Sequence, residues 1–72
     1  MSGATHHVIL TKQWTTPRGF TMQTMGSTIH VEPGETDEAV FQRALTDFHR
    51  MHPESVYGGV LFYRLAPIEV PR

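Results

Sequence analysis

The sequence contains no cysteine, and this absence removes several kinds of chemistry at once. Without thiols the chain can form no disulfide bond, bind no zinc through thiolates and use no thiol nucleophile. A small domain without disulfides fits a reducing compartment, so we expect a cytoplasmic protein. Long apolar runs are also missing. The run near the N-terminus covers only residues 8–10, which predicts neither a signal peptide nor a membrane span there.

Charge of either sign is scarce as well. Six Lys and Arg residues stand against seven Asp and Glu residues, which gives a formal net charge of −1 at pH 7. Proteins that bind nucleic acids usually carry a basic excess or a basic stripe that neutralises phosphates. Here the basic residues are scattered singly along the chain. The composition therefore disfavours nucleic acid as a partner.

The size of the chain limits what it can enclose. Its 72 residues, 39% of them hydrophobic, suit one small domain whose core outweighs chain entropy by a narrow margin. Most apolar side chains are then needed to bury one another, and few are left to line a deep pocket. We therefore expect no enzymatic activity and no cofactor. Residues 1–5 are small and polar and residues 67–72 contain two prolines, so both segments are predicted to be flexible tails.

Two extended segments occupy the first part of the chain. Residues 6–14 are rich in β-branched and aromatic side chains, which is typical of a strand, and residues 20–31 form a second extended run. Pro17 and Gly19 between them predict a tight turn and hence a β-hairpin. Gly26 interrupts the alternation of the second run, which predicts a β-bulge at that position.

Residues 37–51 are predicted to form a helix. Their apolar side chains recur at helical spacing. Thr36 is a suitable N-cap, and Asp37 and Glu38 favour the positive end of the helix dipole. Pro53 ends the helix, because the residue before a proline disfavours helical backbone angles.

Residues 60–65 are β-prone and predict a third strand. The fold class is therefore α+β: a single small domain with the order β-β-α-β, whose one helix packs on one face of a three-stranded sheet. Since the helix returns the chain along the hairpin, the third strand runs antiparallel to the first. We favour the order 2-1-3, because it places the apolar residues 8–10 at the centre of the sheet. Pairing of the third strand with the second is the alternative.

Five histidines are the candidates for metal or acid–base chemistry. His49 and His52 lie near the end of the predicted helix, whereas His6, His7 and His30 lie at the open end of the hairpin. A helix of about 15 residues spans roughly 22 Å, so the two groups cannot form one metal centre. We interpret His49 and His52 as residues that complement the negative end of the helix. No metal site is predicted, and adventitious metal at the other three histidines stays an alternative.

What remains is a surface. A three-stranded sheet covered by one helix has one open face and two open edges. Ile9 and Met25 are expected on the open face, whereas Phe20 and Met22 are expected inside. On the third strand, either Tyr63 or its neighbours in the alternation are expected to face outward. Exposed aliphatic and aromatic side chains on a sheet are typical of a binding surface.

These observations predict a non-catalytic protein-interaction module of the adaptor or inhibitor type. It would bind a protein partner through the open sheet face or an edge strand, and we also expect self-association as a homodimer. The alternative is a nucleic-acid-binding accessory protein, in which Lys12, Arg18 and Arg64 project from the sheet while Trp14 or Tyr63 stacks on bases. The predicted binding residues are Ile9, Trp14, Arg18, Met25, Tyr63 and Arg64. The strand order itself recurs in many unrelated small domains and assigns no function.

Overall fold

The computed structural model describes residues 3–68, which form one sheet, one α-helix and one short 3₁₀ helix. Strand β1 spans His6–Thr16, β2 spans Gly19–Ile29 and β3 spans Gly59–Pro67. Helix α1 spans Asp37–Met51, and the 3₁₀ helix spans Pro53–Tyr57. The strands lie in the order β2-β1-β3, with both outer strands antiparallel to β1. The predicted α+β class, the β-β-α-β order and the 2-1-3 sheet are confirmed.

The predicted flexible tails reach beyond the described part of the chain, since residues 1–2 and 69–72 lie outside it. Inside the described part, Thr5 forms backbone hydrogen bonds on both sides of the central strand. Its N–H donates to Ile29 O, and its carbonyl accepts from the N–H of Ile68, each at 3.0 Å. These bonds join the residue before β1 to the segments on either side of it.

Helix α1 begins and ends where the sequence predicts. Thr36 has extended backbone angles, and its Oγ1 accepts from the N–H of Ala39 at 3.1 Å, which satisfies one of the free donors of the first turn. At the other end the N–H of His52 donates to Phe48 O at 2.9 Å, and Pro53 then starts the 3₁₀ helix. The 3₁₀ helix was not predicted from the sequence.

The hairpin loop consists of two residues, Pro17 and Arg18, because Thr16 pairs directly with Gly19. Gly19 has a φ of 116°, in the region that favours glycine. The N–H of Arg18 donates to Oγ1 of Thr16 at 3.1 Å and helps to hold the loop. A short loop of fixed length sets the register of the hairpin, and the register decides which face each residue of β2 takes.

The bulge predicted at Gly26 is wrong. Gly26 lies opposite Ile9 in a ladder that is continuous along all of β2. Met25 pairs with Leu10, so it lies on the face that α1 covers and is buried. Phe20 and Met22, which were expected inside, lie on the open face and are exposed. The register set by the two-residue hairpin loop therefore decides the faces of all three side chains.

The irregularity of the sheet lies in β3 instead. Thr11 pairs with Phe62, whereas the next residue, Lys12, pairs with Val60, so Leu61 is the extra residue of a bulge. This bulge lies next to the 3₁₀ helix, at the start of the strand.

The core lies between α1 and the face of the sheet that α1 covers, mainly over β1. The ring of Phe48 meets the ring of Trp14 edge-on, with centroids 6.1 Å apart. The buried apolar residues are Val8, Leu10, Trp14, Met25, Val40, Ala44 and Phe48. Among residues 3–68, no helix has the length and apolar character needed to cross a membrane.

The 3₁₀ helix closes one end of this core, and Gly58 allows it to do so. A Cβ atom at Gly58 would lie 2.7 Å from the Cβ of Trp14 and would also meet the backbone of Gln13. The chain therefore passes β1 at a distance that only glycine permits.

Candidate functional site

The face of the sheet turned away from α1, called the outer face below, is built from alternate residues of the three strands. No helix or strand among residues 3–68 covers it. Its residues are His7, Ile9, Thr11, Gln13 and Thr15 from β1, Phe20, Met22, Thr24, Gly26 and Thr28 from β2, and Phe62, Arg64 and Ala66 from β3.

Four large apolar side chains stand on the outer face. The exposed fraction is 78% for Phe20, 60% for Met22, 50% for Phe62 and 38% for Ile9. They come from all three strands, and Thr11, Gln13 and Thr24 lie between Ile9 and Met22 in the register. Within residues 3–68, seven hydrophobic residues are buried and nine large ones are exposed, and four of the exposed ones lie on the outer face. Clustered exposed apolar side chains are typical of an interaction surface.

The rest of the outer face is polar but carries little charge. Oγ1 of Thr11 and Oγ1 of Thr24 form a hydrogen bond of 2.8 Å between β1 and β2. Arg64 lies opposite Ile9. Within residues 3–68, no other Asp, Glu, Lys or Arg residue lies on this face. The outer face is therefore an apolar surface with hydroxyl groups between its large side chains.

Three of the six predicted binding residues are accessible. Ile9 and Arg64 lie side by side on the outer face, and Arg18 is exposed in the hairpin loop. The structure does not bring Arg18 close to the other two in the sheet, because the loop lies at the far end of the hairpin from Ile9.

The other three predicted residues face α1. The exposure expected for Met25 and for Trp14 is wrong, since both are buried in the core. Tyr63 is half-buried, and its ring packs edge-on against Phe41 with centroids 4.8 Å apart. Of the two possibilities for β3, its neighbours Phe62 and Arg64 are the ones that face outward. Phe20, Met22 and Phe62 are exposed outer-face residues that the predicted binding set left out.

A second candidate site is the buried side chain of Lys12, the one lysine in the sequence. Only 3% of this residue is exposed. Its Nζ lies 2.8 Å from Nε2 of His49 and donates to Ser55 O at 2.7 Å. Because an ammonium group is only a donor, His49 accepts through Nε2 and carries its own proton on Nδ1. Lys12 thus links β1, α1 and the 3₁₀ helix.

Burial shifts the titration of both partners. The pKa of Lys12 is lowered from its ordinary value, because burial disfavours the charged ammonium. The pKa of His49 is also lowered, first by burial and then by the positive charge of Lys12. The shift at His49 favours the neutral imidazole that accepts the hydrogen bond. The hydroxyl of Ser55 is also buried, and among residues 3–68 it has no hydrogen-bond partner.

A buried lysine beside a histidine can mark a catalytic site, but this arrangement lacks access for a substrate. The ammonium is enclosed, and its two acceptors belong to the elements that enclose it. A shallow groove of about 350 Å³ between α1 and β2 is lined by other residues, namely Met25, Gly26, Ser27, Asp47, Arg50 and Met51. The Lys12 cluster is therefore a structural link that holds α1 and the 3₁₀ helix on the sheet.

The predicted role of His49 and His52 needs correction. His49 accepts from Lys12 instead of complementing the helix end, and His52 packs its ring 5.7 Å from Trp14 and 5.2 Å from Phe48. Within the described residues, no three His, Asp or Glu side chains come together in a way that could hold a metal ion. The sequence held one signal for the inward position of Lys12, since it shares the alternation of Leu10 and Trp14.

Comparison with protein-family models, with curated proteins and with solved structures gave no match.

Proposed function

We propose that the protein is a non-catalytic interaction module of the adaptor or inhibitor type that binds another protein through its outer face. The observation that supports this proposal is the group of large apolar side chains on the outer face, which nothing in residues 3–68 covers. Isolated exposed hydrophobic residues are ordinary, but an apolar area shared by three adjacent strands is typical of an interaction surface.

The chemistry of the outer face suits a protein partner. Protein interfaces combine large apolar anchors with hydrogen-bonding groups and contain few charges at their centre. Ile9 on the central strand and Phe62 on β3 supply such anchors, and the hydroxyls of Thr11 and Thr24 lie between the strands. Arg64 gives the face one positive group, which suits a single acidic residue on the partner.

The alternative function, nucleic-acid binding, loses most of the residues on which it depended. Lys12 is buried and does not project from the sheet. Trp14 is in the core and the ring of Tyr63 packs on Phe41, so neither presents a stacking surface on the outer face. Of the basic residues named for that role, Arg18 and Arg64 are exposed. This arrangement supports a protein partner over nucleic acid.

The proposal can be tested with two lysine substitutions at equally exposed sites. Phe62→Lys places a charge on the outer face, whereas Met51→Lys, at 55% exposure against 50%, places the same charge on the helix. The tagged protein and both variants would be purified from the native cells, before and after nuclease treatment, and the co-eluting proteins identified by mass spectrometry. We expect one stoichiometric protein to survive nuclease, to disappear with Phe62→Lys and to remain with Met51→Lys.

Circular dichroism on both variants establishes that they are folded. If a folded Phe62→Lys variant retains the same partner as the unmodified chain, the outer face is not the binding site. Recovery of nuclease-sensitive material alone would instead favour the nucleic-acid alternative.

A further inference from the structure

The two open edges of the sheet are built differently. Edge strands normally carry features that prevent pairing with other chains, such as charged side chains, prolines or bulges. Strand β3 has all three, namely Arg64, Pro67 and the bulge at Leu61. Strand β2 has none of them: its 11 residues include no charged residue and no proline, and its register with β1 is continuous. The edge of β2 is therefore the unprotected one.

The ladder of β1 shows which backbone groups this edge presents. A central antiparallel strand bonds its two neighbours through alternate residues. The bond between Thr5 and Ile68 follows the register of β1 with β3, whereas the bond between Thr5 and Ile29 is one residue out of the register of β1 with β2. The odd-numbered residues of β1 therefore bond to β3, and the even-numbered ones bond to β2. The backbone groups of the odd-numbered residues of β2 are therefore bonded to β1. The free N–H and C=O groups of β2 belong to Phe20, Met22, Thr24, Gly26 and Thr28.

The glycine at position 26 is a second, independent reason to expect another chain at the edge of β2. Its φ is not positive, and a Cβ atom added there would meet nothing within 4 Å. A single copy of the chain therefore gives no reason for a glycine in the middle of a strand, where glycine costs about 0.5–1 kcal/mol relative to alanine. Glycine within a strand often marks a place where another chain approaches closely.

We propose that β2 pairs antiparallel with β2 of a second copy of this chain, around a twofold axis at Thr24, so that the two sheets join into one of six strands. Thr24 is the middle residue of β2 and presents its backbone groups at the free edge. This register therefore overlaps the strand completely and forms about ten backbone hydrogen bonds.

The same register fits the side chains. It places Met22 of one copy opposite Gly26 of the other, and Phe20 opposite Thr28, so each large exposed side chain lies beside a small one. Aromatic side chains are known to cover edge glycines in this way, and the Met22 side chain is long enough to lie over the exposed backbone of Gly26. No like charges meet in this or any neighbouring register, because β2 carries none.

The helices leave room for this assembly. Helix α1 lies mainly over β1, and the two β1 strands would be separated by three strand spacings, about 14 Å. Packed helices need about 10 Å between their axes.

The pairing also joins the two outer faces. One face measures roughly 35 by 14 Å, about 500 Å², and two together exceed the roughly 800 Å² that one side of a stable interface buries.

This inference goes beyond the proposed function, because it uses the backbone edge of β2, whereas the proposed function uses the side chains of the outer face. A chain that stays monomeric would refute the pairing and leave binding at the outer face untouched. The substitution Phe62→Lys lies on β3, away from the edge of β2, so the two ideas can fail separately.

The first test is the mass of the full chain in solution. We expect sedimentation velocity to show a concentration-dependent shift from 8.2 kDa to twice that mass. Thr24→Pro removes an N–H that points to the free edge and leaves the ladder with β1 intact, since prolines are tolerated at such edge positions. We expect this variant to remain monomeric, with unchanged circular dichroism and Trp14 fluorescence.

The second test fixes the register, and the lack of native cysteine makes it clean. In the proposed dimer the two Thr24 Cα atoms lie about 5.5 Å apart, within the range of about 4.4–6.8 Å that a disulfide accepts. Thr24→Cys should therefore form a covalent dimer on mild oxidation. Thr15→Cys, a substitution of an exposed threonine on the central strand, is the matched control, and its covalent dimer should be at least about tenfold less abundant.

Each result decides the question. A wild-type chain that remains monomeric at all accessible concentrations overturns the proposal. A dimer that persists in folded Thr24→Pro uses another surface and also overturns it. The same conclusion follows if the Thr24→Cys variant cross-links no better than the Thr15→Cys variant.

Discussion

The two faces of this sheet carry similar side chains, but those on one face are buried and those on the other are exposed. On the inner face Leu10 and Trp14 are buried beneath α1, whereas on the outer face Ile9 and Phe62 face solvent. Both faces present aliphatic and aromatic residues in the alternation of a strand. The difference lies in the single helix, which can cover only one side. Apolar alternation therefore identifies a strand, but the position of the helix decides which apolar side chains stabilise the fold and which are free to bind.

The largest expected effect is on the free energy of unfolding, when a buried phenylalanine is replaced. An exposed phenylalanine on the other side of the sheet is the comparison. Phe48 is fully buried, so Phe48→Ala should lower the free energy of unfolding by about 3–5 kcal/mol through the cavity it leaves. That is much of the total stability of a domain of this size. Phe62→Ala, on the outer face, should cost about 1 kcal/mol or less. Urea denaturation followed by the fluorescence of buried Trp14 measures both changes. Equal losses would mean that the outer face is part of the core.

An intermediate effect on stability is expected at one of two adjacent glycines at the end of the inner face, and the other glycine is the comparison. A methyl group at Gly58 would collide with Trp14 and the backbone of Gln13, whereas at Gly59 it meets nothing within 4 Å. Gly58→Ala should therefore destabilise the fold by about 1–3 kcal/mol, because the 3₁₀ helix must move away from β1. Gly59→Ala should change stability by less than about 0.5 kcal/mol. Thermal unfolding of the two variants makes the comparison, and a tolerant Gly58 would contradict the close approach described above.

The smallest expected effect is a pH dependence that originates at His49, between the sheet and α1. The pKa of His49 in the folded chain is below its ordinary value of 6.5, because of burial and the adjacent Lys12. As the pH falls below about 6.5, the unfolded chain therefore takes up a proton at this residue before the folded chain does. The free energy of unfolding should decrease in that range, and urea denaturation at about pH 7.5 and about pH 5.5, on either side of that ordinary value, measures the decrease.

His49→Gln separates this contribution from those of the other four histidines. The glutamine carbonyl can still accept from Lys12 but does not titrate. We expect a smaller loss of stability between the two pH values in this variant than in the unmodified chain. An unchanged loss would place the pH dependence elsewhere in the molecule.

Local patterns in the sequence predict the helix and the strand order well. The N-cap at Thr36 and the stop at Pro53 are chemical signals that act within a few residues, so the helix bounds could be read directly. The 2-1-3 order follows from the apolar character of residues 8–10, which belong at the centre of the sheet.

The faces of β2 could not be assigned in the same way. They depend on the length of the hairpin loop, and the predicted strands left residues 15–19 between them instead of the two residues that the structure shows. Gly26 then invited a bulge that the register does not contain. The link from Lys12 to His49 and Ser55 was missed because it joins residues 37 and 43 positions apart, and its charge suggested an exposed position.

The burial of Lys12 has a consequence for the covalent chemistry of the protein. Acetylation, methylation and ubiquitin attachment all act on the lysine amine, and this chain has one lysine, enclosed between β1, α1 and the 3₁₀ helix. The folded protein therefore offers no lysine side chain to modifying enzymes or to amine-reactive reagents. Acylation of Lys12 would require α1 or the 3₁₀ helix to leave the sheet, so the rate of labelling at this residue reports how often the domain opens.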